Sequence, residues 1–534
     1  MVHLKTRFFQ QTFTFRSRFD VTTSFHETFS ENLQTLIDAL GKPEKGEFNH
    51  DGHLRILTRL DTIKELKFLE KKGIIPAPRK CRGVNVHVHT SESFSAFRSP
   101  SEAAWYGYRA GLDVFGINDH YTIAGHKEFG EACKILGLKA AFSIEIMAMH
   151  DEARKNGERT NDPINPGRTY LCGKGVVHDL KPNSSSHKLL EKVRSAFRKR
   201  CEQMTEKVDS LLKEIDASLN LSFRDVLRLT PRGNVTERHI TQAIAELIIR
   251  KFPERGQQKN FLRKFLGEFE EDEICSQDRF QDLIRNRILK AGGPAYVEEP
   301  VEAFPSIEDT IQLFRDYGAI PTYPVLGTPV TEREKNLNSL FRELESYGIF
   351  AVEVIPKRNT RHRLREIVRT ARKFGFPIFC GTENNTKKVE PLLDRFSLDP
   401  EFLPVFRQGA YLILGHQLLS KYGGRGYINE DGRLTVEDRD AGVKLFSFTG
   451  GLDWSDETLK WLRTIGKENV YKMICGLKNI FCRGEVLPFS VEPSFRIPRS
   501  LLDRIDVKSG RVVFSDTKAA VEFENYVRKH VIPL

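Results

Sequence analysis

The chain has 534 residues, of which 39% are hydrophobic and 29% charged, and its formal net charge is +11. This length accommodates two or more domains, or one large barrel with additions, and the composition is typical of soluble globular proteins. The positive charge favours an anionic partner, such as a phosphorylated small molecule or nucleic acid. No apolar run approaches the length of a membrane span, so we expect no membrane-spanning segment.

Two further features of the sequence indicate a cytoplasmic protein. Residues 1–20 contain no continuous apolar segment and do not resemble a secretory signal. The eight cysteines are scattered and include no C-x-x-C pair. They therefore predict reduced thiols rather than a disulfide framework or a cysteine zinc site.

Residues 1–80 form an accessory segment ahead of the main pattern. Phe13, Phe15 and Phe19 alternate with polar residues, which predicts a strand. Apolar residues three and four apart predict helices over 30–40 and 54–72. A Pro-Ala-Pro linker at 76–78 ends the segment.

From residue 81 the pattern alternates between strand and helix. Ser99, followed by Pro100 and Glu102, is a strong helix start signal. A charged helical insertion at about 181–300 interrupts this alternation. The alternation of strands and helices predicts a parallel α/β fold, closed or open. The predicted strands are 82–88, 112–118, 139–147, 168–172, 318–324, 348–355 and 376–382, and the predicted helices are 99–111, 125–136, 306–317, 331–347 and 360–374.

The segment Val84–Thr90 reads Val-Asn-Val-His-Val-His-Thr, which predicts a strand carrying two histidines on one face. His87 and His89 would lie about 6–7 Å apart by strand rise, a spacing that suits one metal ion. The alternative is two ordinary histidines in a half-buried strand. Other strand ends carry further ligand types, which favours the metal site.

Those further ligand types are His120 at the end of the second strand, Glu145 late in the third and Glu383 after the last. In a barrel of parallel strands, the carboxyl ends of the strands converge on one face. Histidine and carboxylate together suit Zn²⁺, Mn²⁺ or Fe. Such an ion generates hydroxide near neutral pH, and a carboxylate such as Glu145 can bridge two metals for in-line attack on a phosphate ester.

These runs, in this order, resemble the PHP (polymerase and histidinol phosphatase) domain over roughly residues 81–420. The resemblance implies a distorted (β/α)7 TIM-like barrel with a two- or three-metal site that usually hydrolyses phosphate esters. Residues 233–240 and 292–297 are similar to the helical insertion of a branch with phosphoesterase and 5′-to-3′ exonuclease members. The implied division is an accessory segment at 1–80, the barrel at 81–420 and a C-terminal extension at 421–534.

The resemblance also implies roles for individual residues. His87, His89, His120 and Glu145 would be the catalytic metal ligands, with Glu383 as a late acidic ligand. Three positions where the family usually has histidine carry Tyr170, Tyr323 and Asn385 instead. The expectation is therefore one complete site, formed by His87, His89, Glu145 and Glu383, and one or two incomplete sites. Candidates for supporting or compensating positions are Asp119, His150, Tyr170, His178, Tyr323, Asn384, Asn385 and His416.

Three basic residues are candidates for contacting substrate charge: Lys174, in a Gly-Lys-Gly turn, and Lys357 and Arg358, which follow a strand. The alternative for Lys174 is an exposed turn lysine. The leading hypothesis is a metal-dependent phosphoric ester hydrolase acting on a phosphorylated small molecule or nucleotide. The alternatives are a catalytically weakened PHP-like binding or regulatory protein, with nucleic acid as a candidate ligand, and a metal-dependent hydrolase of C–O or C–N bonds.

Overall fold

The computed structural model describes residues 33–41, 52–230, 232–388, 390–481, 489–508 and 510–533. The strand predicted over 13–19 lies outside the described residues. A helix occupies 33–39, inside the helix predicted over 30–40. A second helix, Gly52–Lys71, covers most of the prediction for 54–72.

Seven strands form one sheet in which each strand pairs with the next one along the chain. The sheet closes where the backbone after the seventh strand meets the first. There, the Glu383 amide donates to the His87 carbonyl at 2.8 Å, and the His89 amide donates to the Glu383 carbonyl at 2.9 Å. The result is a TIM-like α/β barrel, so the predicted fold class is confirmed. The strands are β1 Val84–Val88, β2 Val114–His120, β3 Lys139–Met149, β4 Arg168–Lys174, β5 Ile320–Val325, β6 Val352–Val354 and β7 Ile378–Cys380.

The expectation of a uniformly parallel sheet is wrong for β4, which is antiparallel to both β3 and β5. The segment between β3 and β4 contains only a five-residue helix, Asp151–Lys155, instead of the long helical crossover that a parallel pair requires. The chain therefore turns back and runs down beside β3. As a consequence, β4 begins at the level of Met149 and ends at the level of Ser143.

Helices pack around the barrel between its strands. The helix Pro100–Arg109 begins as predicted, because Ser99 Oγ accepts a hydrogen bond from the Glu102 amide at 3.0 Å. The other helices between strands of the barrel are His126–Leu136, Ile307–Asp316, Leu337–Tyr347 and Arg361–Phe374.

The insertion between β4 and β5 is helical, as predicted, and has a hydrophobic core of its own. One short segment ties it closely to the loop after β1. The Gly233 backbone lies so close to the Glu92 carbonyl that an added Cβ would come within 1.7 Å of it, and the Asn234 amide donates to the same carbonyl at 2.9 Å. Its helices are Ser185–Ile215, Phe223–Leu227, Glu237–Lys251, Arg255–Leu266 and Gln277–Ile284.

The C-terminal part shares its hydrophobic core with the barrel. Helix Leu403–Leu418 packs on β7 and on helix Arg439–Gly451. Among the described residues, no helix has the length and apolar character needed to cross a membrane. The remaining elements are the strands β8 Asp453–Trp454, β9 Phe489–Val491, β10 Ile505–Lys508, β11 Arg511–Phe514 and β12 Val531–Pro533, and the helices Asp456–Ile465, Lys467–Phe481, Arg499–Leu502 and Thr517–His530.

Candidate metal centre

Strand β1 places two histidines side by side inside the barrel. Its valines alternate with Asn85, His87 and the following His89, so the histidines share the inner face. The two Nε2 atoms lie 3.3 Å apart, and both rings are buried. The predicted pair therefore converges on one point.

Glu145 brings a carboxylate to that same point. Its Oε2 atom lies 3.8 Å from His87 Nε2, 3.3 Å from His89 Nε2 and 3.2 Å from His120 Nδ1. His120 arrives there because it ends β2 and pairs with Glu145 in the sheet register. Four of the predicted site residues thus meet around one carboxylate oxygen.

Burial keeps two of these histidines uncharged. Burial away from water disfavours the charged ring and lowers the pKa of His89 well below its ordinary value. It lowers the pKa of His120 to about 3, although the Glu145 charge acts in the opposite direction. A neutral imidazole has the free lone pair that a metal ligand needs.

The outer nitrogens of His87 and His89 are engaged by acceptors. Ser93 Oγ donates to Asp119 Oδ1 at 2.6 Å and lies 3.0 Å from His89 Nδ1, so it accepts the proton of that nitrogen. Glu353 Oε2 lies 2.9 Å from His87 Nδ1 and accepts from it. In the neutral form of both rings, the two Nε2 lone pairs and Glu145 Oε2 then converge with no proton between them.

One donor approaches the same region from the side. Asn118 Nδ2 lies 2.9 Å from His87 Nε2 and 3.3 Å from His87 Nδ1, so it sits over the ring and leaves the in-plane lone pair free. Three converging acceptors repel one another unless a cation lies among them. The donor set of His87, His89 and Glu145, with His120 adjacent, therefore fits a divalent metal ion, and imidazole with carboxylate suits Zn²⁺, Mn²⁺ or Fe.

Asp119 supports this centre from behind β1. Besides Ser93, it binds the Thr90 amide and the Thr90 hydroxyl, both at 2.7 Å. Burial raises the pKa of Asp119 to about 6 against these hydrogen bonds. Asp119 thus contacts His89 through Ser93, and its role as a supporting residue stays a prediction.

Glu383 lies next to the histidine pair through its backbone but turns its carboxylate elsewhere. Its backbone has φ of 63°, an uncommon conformation for a residue other than glycine. The carboxylate forms an ion pair with Arg358. Burial raises its pKa, and Arg358 opposes that effect. It does not belong to the compact donor set of the described residues, so its role as a ligand stays a prediction.

The three basic residues predicted to contact the substrate differ in their exposure and in their partners. Arg358 and Lys357 lie after β6 and pair with the carboxylates of Glu383 and Glu390. Lys174 is fully buried and donates to Glu353 Oε1 at 2.7 Å. Its predicted contact with substrate phosphate is wrong, because the antiparallel β4 carries its end below the level of the metal centre.

Four of the supporting candidates lie away from the centre. Tyr323 faces outward on β5 and lines a pocket with His150 and Tyr347. His178 is exposed, and its Nδ1 atom lies 3.2 Å from the Asp179 carbonyl. His416 is buried, where its ring bonds the Tyr427 amide and the Gly318 carbonyl. None of these three histidines belongs to the donor set of the described residues, so the alternative that each of them is structural stays the prediction.

The remaining candidates lie closer to the centre. The Tyr170 ring centroid lies 6.4 Å from that of His120. Asn384 is buried and bonds Thr382 Oγ1, and Asn385 Nδ2 lies 3.5 Å from Glu383 Oε2. These side chains border the predicted ligands without joining the donor set.

Sequence reasoning missed Glu353 and Cys172. Glu353 is the one charged residue of a strand whose other members are Val352 and Val354, a pattern that could have drawn attention to it. Together with His87, these two residues form a second group of metal-ligand types within the barrel.

The chain has low similarity to known proteins, both in sequence and in structure. No family model matches the chain, and no curated protein matches it. A protein from Bifidobacterium adolescentis, assigned by inference as a metal-dependent phosphoesterase, is 17% identical, with a TM-score of 0.39 over 60% of this chain and 95% of its own. An amidohydrolase from Chromobacterium violaceum, solved with bound sulfate and no metal, is 15% identical, with a TM-score of 0.38 over 58% of this chain and 92% of its own. At this overlap neither protein's activity transfers to this chain.

Proposed function

We propose that this protein is a metal-dependent hydrolase of phosphate esters, with a PHP-like barrel. The observation that carries the proposal is the convergence of His87 Nε2, His89 Nε2 and Glu145 Oε2, all within 3.8 Å of one another, inside the barrel. A divalent ion held by this set supplies Lewis acidity and lowers the pKa of a water molecule.

The protein's own residues would prepare this centre in two ways. Ser93 and Glu353 hold the outer nitrogens of the two histidines, which aims their Nε2 atoms at Glu145. Burial of these side chains excludes bulk water, so charges inside the centre interact strongly. His120, whose side chain is 21% exposed, marks the side on which a substrate would approach.

Basic side chains around that side favour an anionic substrate. Arg358 is 40% exposed while it pairs with Glu383, so its guanidinium is accessible to a further anion. Arg238 of the insertion bonds Asp282 and lies over the Phe94 ring. Burial is the main cause of the low pKa of His120, and the Arg238 charge adds to it, so Arg238 is within electrostatic reach of the centre. These charges support a phosphate ester over a neutral amide.

Metal content and substrate class test this proposal together. The purified protein is analysed for transition metals and assayed with a phosphate monoester, a phosphodiester, a short RNA, a lactone and an amide. We expect bound metal and phosphoester hydrolysis, both lost in His89→Ala and reduced in His120→Ala. His178→Ala is the matched control, since that side chain is exposed and distant from the centre. Absence of bound metal, or hydrolysis confined to the lactone or amide, contradicts the proposal.

A further inference from the structure

A buried ion pair lies directly behind His87. Glu353 on β6 and Lys174 on β4 are both fully buried inside the barrel, and Lys174 Nζ lies 2.7 Å from Glu353 Oε1. The other carboxylate oxygen, Oε2, lies 2.9 Å from His87 Nδ1. One carboxylate thus links a buried ammonium group to a residue of the donor set.

The group formed by His87, Cys172 and Glu353 has the residue types of a second metal site. Two contacts argue against that role. The Lys174 ammonium occupies Glu353 Oε1, so a metal ion at this carboxylate would meet a positive charge in a dry interior. His87 would also have to present a lone pair at Nδ1, while its Nε2 atom faces His89 and Glu145.

A neutral imidazole carries one proton and one in-plane lone pair on its two nitrogens. A carboxylate at Nδ1 selects the form protonated there, and this leaves the lone pair on Nε2. Lys174 balances the charge of Glu353 and also donates to the Val86 carbonyl at 3.3 Å, which anchors the pair to β1. The ion pair thereby fixes both the tautomer and the orientation of His87.

The neighbouring histidine has a matching arrangement built from different residues. His89 Nδ1 is held by Ser93, which is held in turn by Asp119. Both rings of the pair therefore have their Nδ1 atoms engaged and their Nε2 atoms 3.3 Å apart. Two independent supports with the same outcome indicate that Nε2 is the ligating atom on each ring.

We propose that Glu353 and Lys174 are positioning residues that orient His87 toward one metal centre, and that the group of His87, Cys172 and Glu353 holds no second ion. This inference rests on the proposed function for its metal, but the tautomer of His87 tests it without any metal. The two outcomes are therefore separable.

The first measurement is metal binding by the full chain with Zn²⁺ and Mn²⁺. We expect Glu353→Gln to weaken binding by 10- to 100-fold with the same number of ions per chain. Cys172→Ser should leave both affinity and number unchanged. The double variant Glu353→Gln/Lys174→Met removes both charges, which guards against misfolding from an unpaired buried lysine, and it should bind as weakly as Glu353→Gln. One ion fewer per chain in Cys172→Ser, or unchanged affinity in Glu353→Gln, overturns the inference.

The second measurement is the nitrogen NMR spectrum of histidine-labelled, metal-free protein at pH 9, where imidazoles are neutral. His87→Gln assigns the His87 signals. We expect the Nδ1-protonated form of His87 in the natural sequence and loss of that preference in Glu353→Gln/Lys174→Met. The same tautomer in both proteins overturns the inference, whether or not the natural sequence binds metal.

Discussion

Arg232 of the helical insertion donates to Glu92 Oε1 at 2.6 Å, in the loop that follows the two histidines of β1. The same guanidinium nitrogen lies 3.0 Å from Glu128 Oε2, and Glu128 also pairs with Arg59. Both carboxylates are buried. A single arginine thus joins the insertion, the loop beside the metal centre and the helix His126–Leu136.

Replacing Arg232 should loosen the insertion from the barrel. In Arg232→Ala, Glu92 becomes a buried carboxylate without its ion-pair partner. We expect the free energy of unfolding to fall by about 2–3 kcal/mol, below most broken buried pairs because Arg232 is 28% exposed. Urea denaturation at neutral pH measures this change.

The control for this prediction is Arg228→Ala, which breaks an exposed pair with Asp225 three residues away in the same insertion. Its expected change is below about 1 kcal/mol. Equal losses of unfolding free energy in the two variants would show that the ion pair with Glu92 stabilises the protein no more than an exposed pair does.

Gly381, two residues before the predicted ligand Glu383 in the strand-end segment, lies against His87. A Cβ added at Gly381 would fall 2.2 Å from His87 Cβ and 2.8 Å from His87 Cα and N. Gly381→Ala must therefore displace β1, since two of these atoms are backbone. We expect a loss of roughly 1–3 kcal/mol of stability from overpacking, together with weaker metal binding.

Gly256→Ala is the matched control, because an added Cβ there meets no atom within 4 Å. That variant should keep the metal affinity and lose no stability, since alanine is the better helix former in the helix Arg255–Leu266. Calorimetric titration with Zn²⁺ and urea denaturation measure the two quantities. Metal binding by Gly381→Ala at the natural affinity would contradict the assigned position of His87.

The sequence predicts the part of this centre that lies in short, local patterns. His87, His89, His120 and Glu145 each occur near the carboxyl end of a recognisable strand, and parallel strands bring such ends together. Glu353 was not predicted, because its partner Lys174 is distant in the chain and only the closed barrel brings the two side chains together.

The two clearest errors of the sequence analysis concern the direction of one strand, β4, and the face of another, β5, on which a side chain lies. The direction of β4 depends on the path of the chain after Met149, which the composition does not reveal. Because β4 was expected to be parallel, Lys174 was predicted at the wrong end of the barrel. Tyr323 lies in a strand where a shift of one residue exchanges inside for outside. In the structure, Thr322 pairs with Cys172 of β4 and lies on the face of β5 opposite to that of Tyr323. Tyr323 therefore points outward.

Ser93 is expected to control metal affinity through His89. Ser93→Ala removes the acceptor for the Nδ1 proton and frees the ring to adopt the other tautomer. We expect metal binding to weaken 10- to 100-fold without a change in the number of ions. Thr90→Val is the matched control, because Thr90 bonds the same Asp119 carboxylate but does not hold the ring of His89. Equal weakening in both variants would attribute the effect to the loop rather than to the contact with His89.

His416 should make stability depend on pH between about 6.5 and 4. Burial lowers its pKa to about 4, although hydrogen bonds to backbone carbonyls oppose the shift. The unfolded chain, whose histidine pKa is about 6.5, therefore binds a proton more readily in that window. Stability contributed by the neutral ring is present above pH 6.5 and is lost as the pH falls, by at most about 1.4 kcal/mol per pH unit.

His416→Gln removes this titration together with the hydrogen bonds to Tyr427 and Gly318. We expect the variant to be less stable at pH 7 but to lose less stability on acidification, so that the difference between the two proteins shrinks toward pH 4.5. Denaturation with urea at several pH values from 7.0 to 4.5 measures the two curves. His178→Gln, at an exposed position, should run parallel to the natural sequence. Parallel curves for His416→Gln as well would mean that His416 does not remain neutral in the folded protein.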